Sequence, residues 1–173
     1  SPERAEDGPA MDEKLHPDTL ALHADEGLER APDVAPPIHV STTFTADDAE
    51  GLVYARAEQP TRRRLEAVLG ALERGHAVVY ASGQAAATAA LLHLVPRRVA
   101  IARGGYHGTQ AASDALAPIG VEKVPLDAPL GKGDLVWLET PKNPTCEIQD
   151  VAAHAAQAHA AGAAVVVDGT FAT

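Results

Sequence analysis

From Thr61 to Gly169 the spacing of apolar residues switches repeatedly between a helical and an extended period, and few folds accommodate that alternation. "TRRRLEAVLGALERG" places Leu65, Val68, Leu69 and Leu72 at i, i+3, i+4 and i+7, the stripe of an amphipathic helix, with Thr61 as the expected N-cap and Gly75 just past the end. "HAVVYASG" then reads as a strand, "QAAATAALLHLV" as a helix, "RVAIAR" as a strand, "TQAASDALAPIG" as a helix and "VEKVPLD" as a strand. "DLVWLET" is a further expected strand, "DVAAHAAQAHAAG" a helix and "AAVVVDG" a last strand. Alternating elements of these lengths imply βαβ units, hence an α/β fold with a mainly parallel sheet and helices on both faces. No internal repeat is visible.

The residues ahead of this alternation behave differently. Residues 1–14 contain acidic residues, Pro and Gly without an apolar run, and are expected to be a disordered tail or an appended segment, with Met11 as the natural start. Between Leu15 and Asp48, Pro17, Pro32, Pro36 and Pro37 interrupt any long helix, so residues 15–60 are expected to form an extended arm ahead of an α/β domain at 61–173. At 173 residues and 46% hydrophobic content the chain can bury a real core. A formal net charge of −10 and the lack of a clustered basic face argue against nucleic acid or an anionic membrane as a partner. One cysteine, Cys146, cannot form an intrachain disulfide, and no apolar run approaches a membrane span. A soluble, cytoplasmic protein is the expectation.

In open α/β sheets ligands bind beyond the carboxyl ends of the strands, so those ends carry the functional reading. At "YASGQAAATAA", Ser82 and Gly83 stand where a strand is expected to turn into an Ala-rich helix; free N–H groups and the helix dipole make that junction an anion site, although a plain Ser-Gly cap has the same pattern. "RGGYHGT" surrounds Tyr106 with glycines that let the backbone approach a ligand, and the ring offers a stacking face. In "LVWLETPKNPT" two prolines hold the path of a loop from which Asn143 can donate a directed hydrogen bond. Asp168 ends the apolar run of the last strand, and a carboxylate buried there needs a partner such as a cationic ring nitrogen. An anion cradle, a stacking ring, an amide and a carboxylate on one sheet edge describe a pocket for a phosphorylated aromatic cation. Pyridoxal phosphate fits that description.

The ordered segments "ALHAD", "PPIHVSTTF", "YARAEQPTRRRLE", "ASGQAA", "GGYHGT", "ETPKNPTCEIQD" and "VVVDGTFAT" resemble the Cys/Met-metabolism family of pyridoxal-phosphate enzymes, from about Leu20 onward. The family includes cystathionine γ-synthase, cystathionine γ-lyase, methionine γ-lyase and the O-acyl-homoserine sulfhydrylases. The resemblance implies the large domain of a fold-type I transferase and an enzyme of trans-sulfuration, catalysing γ-replacement or γ-elimination on a homoserine-derived or sulfur-containing amino acid. It implies cofactor contacts from Tyr54, Arg56, Ser82, Gly83, Gln84, Tyr106, Asn143, Asp168 and Thr170. Tyr106 and Asp168 carry catalytic roles as well. Tyr54 and Arg56 match a motif that binds the phosphate of the neighbouring subunit's cofactor, which implies a dimer or tetramer with shared active sites.

Three departures from the family pattern stand at Gln59-Pro60-Thr61, Ser82-Gly83-Gln84 and Asp168-Gly169-Thr170-Phe171; the family reads Asn-Pro-Thr, Ser-Gly-Met and Asp-Asn-Thr-Phe. Gly108 stands where methionine γ-lyases carry a cysteine, which weighs against methionine as substrate. Family members run to more than twice this length, with the Schiff-base lysine in a Ser/Thr-rich motif beyond the strand that ends at Asp168. Lys14, Lys123, Lys132 and Lys142 lie in no such context. The 173 residues therefore read as the N-terminal part of an enzyme, inactive alone; a non-catalytic module that keeps the phosphate cradle is the alternative.

Overall fold

A computed structural model describes residues 15–25, 27–28, 35–45 and 51–172; the expected tail at 1–14 and parts of the expected arm lie outside the described residues. The chain divides into two compact units, one running to Val79 and the other beginning at Tyr80.

In the first unit Pro17 begins a helix rather than preventing one. Helix α1 spans Pro17–His23, and proline is harmless at the first helical position because that N–H has no partner in any case. Helix α2 spans Pro60–Leu72, with Gln59 rather than Thr61 as its N-cap: the Gln59 side chain accepts from the Arg62 amide at 2.6 Å. Thr61 Oγ1 instead accepts from the His39 amide at 2.9 Å. At the other end Arg74 takes the left-handed conformation (φ 53°) expected of Gly75, and the Gly75 amide returns to the Gly70 carbonyl at 2.9 Å. Gly70 makes that return possible, since a Cβ there would lie 2.8 Å from the Gly75 carbonyl oxygen.

The apolar stripe identified α2 but not its buried face. Leu65, Leu69 and Leu72 are 46%, 39% and 37% exposed, whereas Arg64, Gly70 and Ala71 are buried. Arg64 pairs with Asp25 at 3.4 Å and so ties α2 to the residues that follow α1. A single antiparallel bridge joins Thr43 to Tyr54.

The second unit contains the expected parallel sheet. Helix α3 (Gly83–Leu94) precedes β1 (Arg98–Ile101), α4 (His107–Asp114), β2 (Glu122–Pro125), β3 (Leu135–Glu139), α5 (Val151–Ala160) and β4 (Ala164–Asp168). The strands lie in the order β2-β1-β3-β4, all parallel. The expected helix at 109–120 divides: α4 stops at Asp114, and a 3₁₀ turn covers Ala117–Ile119, because Pro118 can supply no amide to an α-helical ladder. The expected strand beginning at His76 joins no ladder among the described residues. Its Val79 amide donates to Glu66 at 2.9 Å, and a strand exists only where a neighbour accepts its ladder.

Strand alternation sorts the core into two layers. Val99, Ile101, Leu135 and Trp137 pack with Leu91 of α3 and Leu116 on one face, where Ala87, Ala90, Ala112 and Val166 complete the layer. Val136, Leu138 and Val165 face the other way, onto Ala158 of α5 and Ala163. The alanines of α3 and α5 let each helix approach the sheet closely, as the scarcity of aromatic residues requires. Among the described residues no helix is long and apolar enough to cross a membrane.

At the amino end of β3, Asp134 is almost completely buried and is held by three residues. Arg98 bonds it through Nη2 at 2.6 Å and Nε at 3.2 Å, Arg97 approaches at 2.9 Å, and the Gly131 amide donates at 2.8 Å. The hydrogen-bonded Arg98 guanidinium holds its carboxyl below the usual carboxylate range, with the Gly131 amide and Arg97 adding to the effect against the opposing cost of burial.

Candidate active site

The strand order places a reversal between β1 and β3: the chain leaves β1 toward β2 and later continues from β3 toward β4. The connections after β1 and β3 therefore diverge and open a crevice at the carboxyl ends. A cleft of about 680 Å³ lies there, bounded by the start of α3, the loop that leads into α4, and the ends of β3 and β4. Ser82, Gly83, Gln84, Tyr106, Asn143, Asp168 and Thr170 all line it. It is built wholly from the second unit; Tyr54 and Arg56 belong to the first, where the Arg56 guanidinium lies 4.8 Å from the centre of the Tyr54 ring.

The head of α3 is suited to an anion. Ser82 caps α3, its hydroxyl accepting from the Ala85 amide at 3.1 Å. Among the described residues the Gly83 and Gln84 amides have no acceptor, and a Cβ at Gly83 would meet nothing within 4 Å. Two unspent donors at the positive end of a helix facing open space can accept an anion. The Gln84 side chain is engaged elsewhere: Nε2 donates to the Gly108 carbonyl at 3.1 Å, linking the starts of α3 and α4.

The ends of β3 and β4 bring negative charge to the cleft. Glu139 and Asp168 are register partners in the β3–β4 ladder. They stand two residues beyond Trp137 and Val166, which places both carboxylates on the α3 side of the sheet. Asp168 is half-buried rather than fully buried; its Oδ1 accepts from the Thr170 amide at 3.1 Å and the Thr170 hydroxyl at 2.5 Å, leaving Oδ2 for another donor. The Asn143 side-chain amide has no partner among the described residues. Tyr106 is 37% exposed at the head of α4, with its ring tilted against His107 at 4.9 Å.

Glu139, which the sequence reading left without a role, gains importance here. Glu139 accepts from the Tyr106 amide through Oε2 and from the Asn143 amide through Oε1, each at 2.8 Å. Its partners are backbone groups, which no side-chain motif records. Trp137 Nε1, Thr109 Oγ1 and Gln84 Oε1 are buried without partners and line the same cleft.

A family model described as Cys/Met metabolism PLP-dependent enzyme matches residues 18–173. The chain belongs to that family. It is 36% identical over 176 residues to the cystathionine γ-synthase of Mycobacterium tuberculosis, covering 91% of this chain and 45% of the relative. It is 34% identical over 172 residues to the cystathionine γ-lyase of Saccharomyces cerevisiae, covering 88% and 44%. Among solved structures it resembles a γ-lyase, CalE6 of Micromonospora echinospora, with a TM-score of 0.80 and 38% identity over 92% of this chain and 46% of that one. The chain thus spans a little under half the length of the curated relatives it matches.

The fold is that of the family's fold-type I enzymes, and pyridoxal phosphate is the family's cofactor. The residues of the cleft fit it: the free amide donors at the head of α3 suit a phosphate, while the unengaged Oδ2 of Asp168 suits a protonated ring nitrogen.

Proposed function

We propose that the complete protein is a pyridoxal-phosphate enzyme of sulfur amino-acid metabolism, carrying out γ-replacement or γ-elimination on a homoserine-derived or sulfur-containing amino acid in the cytoplasm. The observation that carries this reading is the polarity of the cleft, with free donors at the head of α3 and two in-register carboxylates at the ends of β3 and β4. Family membership supports it, and relatives named as enzymes count against a binding module without chemistry.

Bound there, the cofactor supplies an electron sink for bonds at the α-carbon of an amino acid. The Gly83 and Gln84 amides beside Ser82 hold the phosphate. Asp168 offers Oδ2 to the ring nitrogen while Thr170 steadies Oδ1, and the carboxylate keeps that nitrogen protonated. Tyr106 stacks on the ring and moves a proton at the reacting carbon or leaving group. Asn143 donates to the ring hydroxyl.

The deciding experiment uses the complete protein. It should take up pyridoxal phosphate with a visible absorbance band, and it should turn over O-acyl-homoserine with cysteine, or cystathionine alone. No band after added cofactor, or no turnover of either substrate, rejects the reading.

Tyr54 and Arg56 are proposed to reach the cofactor phosphate of a neighbouring subunit in a dimer or tetramer. A planar guanidinium grips phosphate through paired hydrogen bonds. Arg56→Ala should weaken cofactor retention by about 1.5–3 kcal/mol, the scale of a hydrogen bond to a charged group, without unfolding its own subunit. Mixed oligomers sharpen the test. Subunits lacking only Arg56, combined with subunits lacking only the Schiff-base lysine, should regain activity above either parent, and a mixture no better than its parents removes the shared site.

A further inference from the structure

We propose that Glu139 is a positioning residue which locks Tyr106 and Asn143 into one arrangement around the cofactor ring, an inference that rests on the function proposed above. Tyr106 and Asn143 stand on the connections after β1 and β3, the two that diverge at the reversal in strand order. Nothing in the sheet ladder holds such connections together. Glu139, the last residue of β3, spans the gap, with Oε2 on the Tyr106 amide and Oε1 on the Asn143 amide, both at 2.8 Å.

The chemistry requires this residue type. The two backbone N–H donors, arriving from different loops, each take a separate oxygen of one side chain, an arrangement that a carboxylate supplies and a carboxamide does not. Among the described residues Glu139 pairs with no cation, so both oxygens remain available to the amides. The Tyr106 side is shaped to admit it: Gly105 has φ +78°, and a Cβ there would collide with Glu139 Oε2. The carboxylate sits on the residue paired in register with Asp168; with the cofactor bound, one strand end would hold the ring nitrogen while the next would set the two residues that face the ring and its hydroxyl.

The complete protein with Glu139→Gln keeps the shape of the side chain and loses one acceptor. Amide hydrogen exchange of the cofactor-free form reads the brace directly. In Glu139→Gln the Tyr106 or the Asn143 amide should exchange about tenfold faster, and in Glu139→Ala both should, as charge-assisted bonds of this kind are lost, while β3 stays protected. Gly105→Ala approaches from the other side, and it should accelerate Tyr106 while leaving Asn143 protected, because only Oε2 is displaced.

With cofactor added, Glu139→Gln should bind it about tenfold more weakly and with a diminished circular-dichroism band, at an unchanged melting temperature of the cofactor-free form. Unchanged exchange at both amides overturns the brace. Faster exchange with unaltered affinity and dichroism overturns the positioning role and leaves a purely structural one. A wild-type protein that takes up no cofactor overturns the functional reading and the positioning role with it, and the exchange result still judges the brace. If Glu139→Ala fails to fold, Glu139→Gln and Gly105→Ala carry the same comparison.

Discussion

Asp168→Asn in the complete protein should lower turnover roughly 100-fold, the order expected when one member of a desolvated charge pair is removed, about 3 kcal/mol. The asparagine retains an oxygen for the Thr170 amide and hydroxyl, which bond Oδ1 in the native chain, so the turn after β4 should survive. What disappears is the negative charge offered by Oδ2 to a ring nitrogen. Cofactor retention should fall as well, and the cofactor-free protein should melt as the wild type does. Turnover within threefold of wild type would remove Asp168 from the proposed site.

Asp134→Asn should destabilise the protein by about 2–4 kcal/mol, because Arg98, Arg97 and the Gly131 amide all converge on a carboxylate that is buried at the amino end of β3. The lower part of that range allows for Arg97, which is 58% exposed and can be hydrated when its partner is lost. The folded-state pKa of Asp134 is lowered, chiefly by its hydrogen bond to Arg98. Its contribution is therefore complete above the unfolded-chain value of about 4 and is lost as pH falls through the depressed folded value. Denaturant titrations should show the wild type losing stability across that acidic window more steeply than Asp134→Asn. Equal slopes, or a midpoint unchanged at neutral pH, would contradict this. Turnover per folded molecule should not change, since Asp134 and the cleft occupy opposite ends of β3.

The sequence by itself determined the elements whose signals are local. β1, β3 and β4 are short runs rich in apolar and β-branched residues, α3 and α5 are Ala-rich segments capped by Ser82 and Asp150, and the strand–helix alternation leaves a parallel sheet as the natural assembly. Strand-end reasoning also pointed to Ser82, Gly83, Tyr106, Asn143 and Asp168, to which the family resemblance added Gln84 and Thr170, and all seven line one cleft; Tyr106, Asn143 and Asp168 do so because they follow the carboxyl ends of neighbouring parallel strands. Tertiary structure decided whatever depends on a partner distant in sequence. The segment at 76–80 has strand composition, yet its Val79 amide finds Glu66 instead of a ladder. The Leu65, Leu69 and Leu72 stripe predicted a helix, while the buried face of α2 followed the Arg64–Asp25 pair and the close return at Gly70. Glu139 shows the limit most clearly: its role depends on two backbone amides, 33 and 4 residues away, brought to one carboxylate by the order β2-β1-β3-β4. A backbone N–H is the same group in every residue but proline, so only the folded chain decides which ones a side chain will meet.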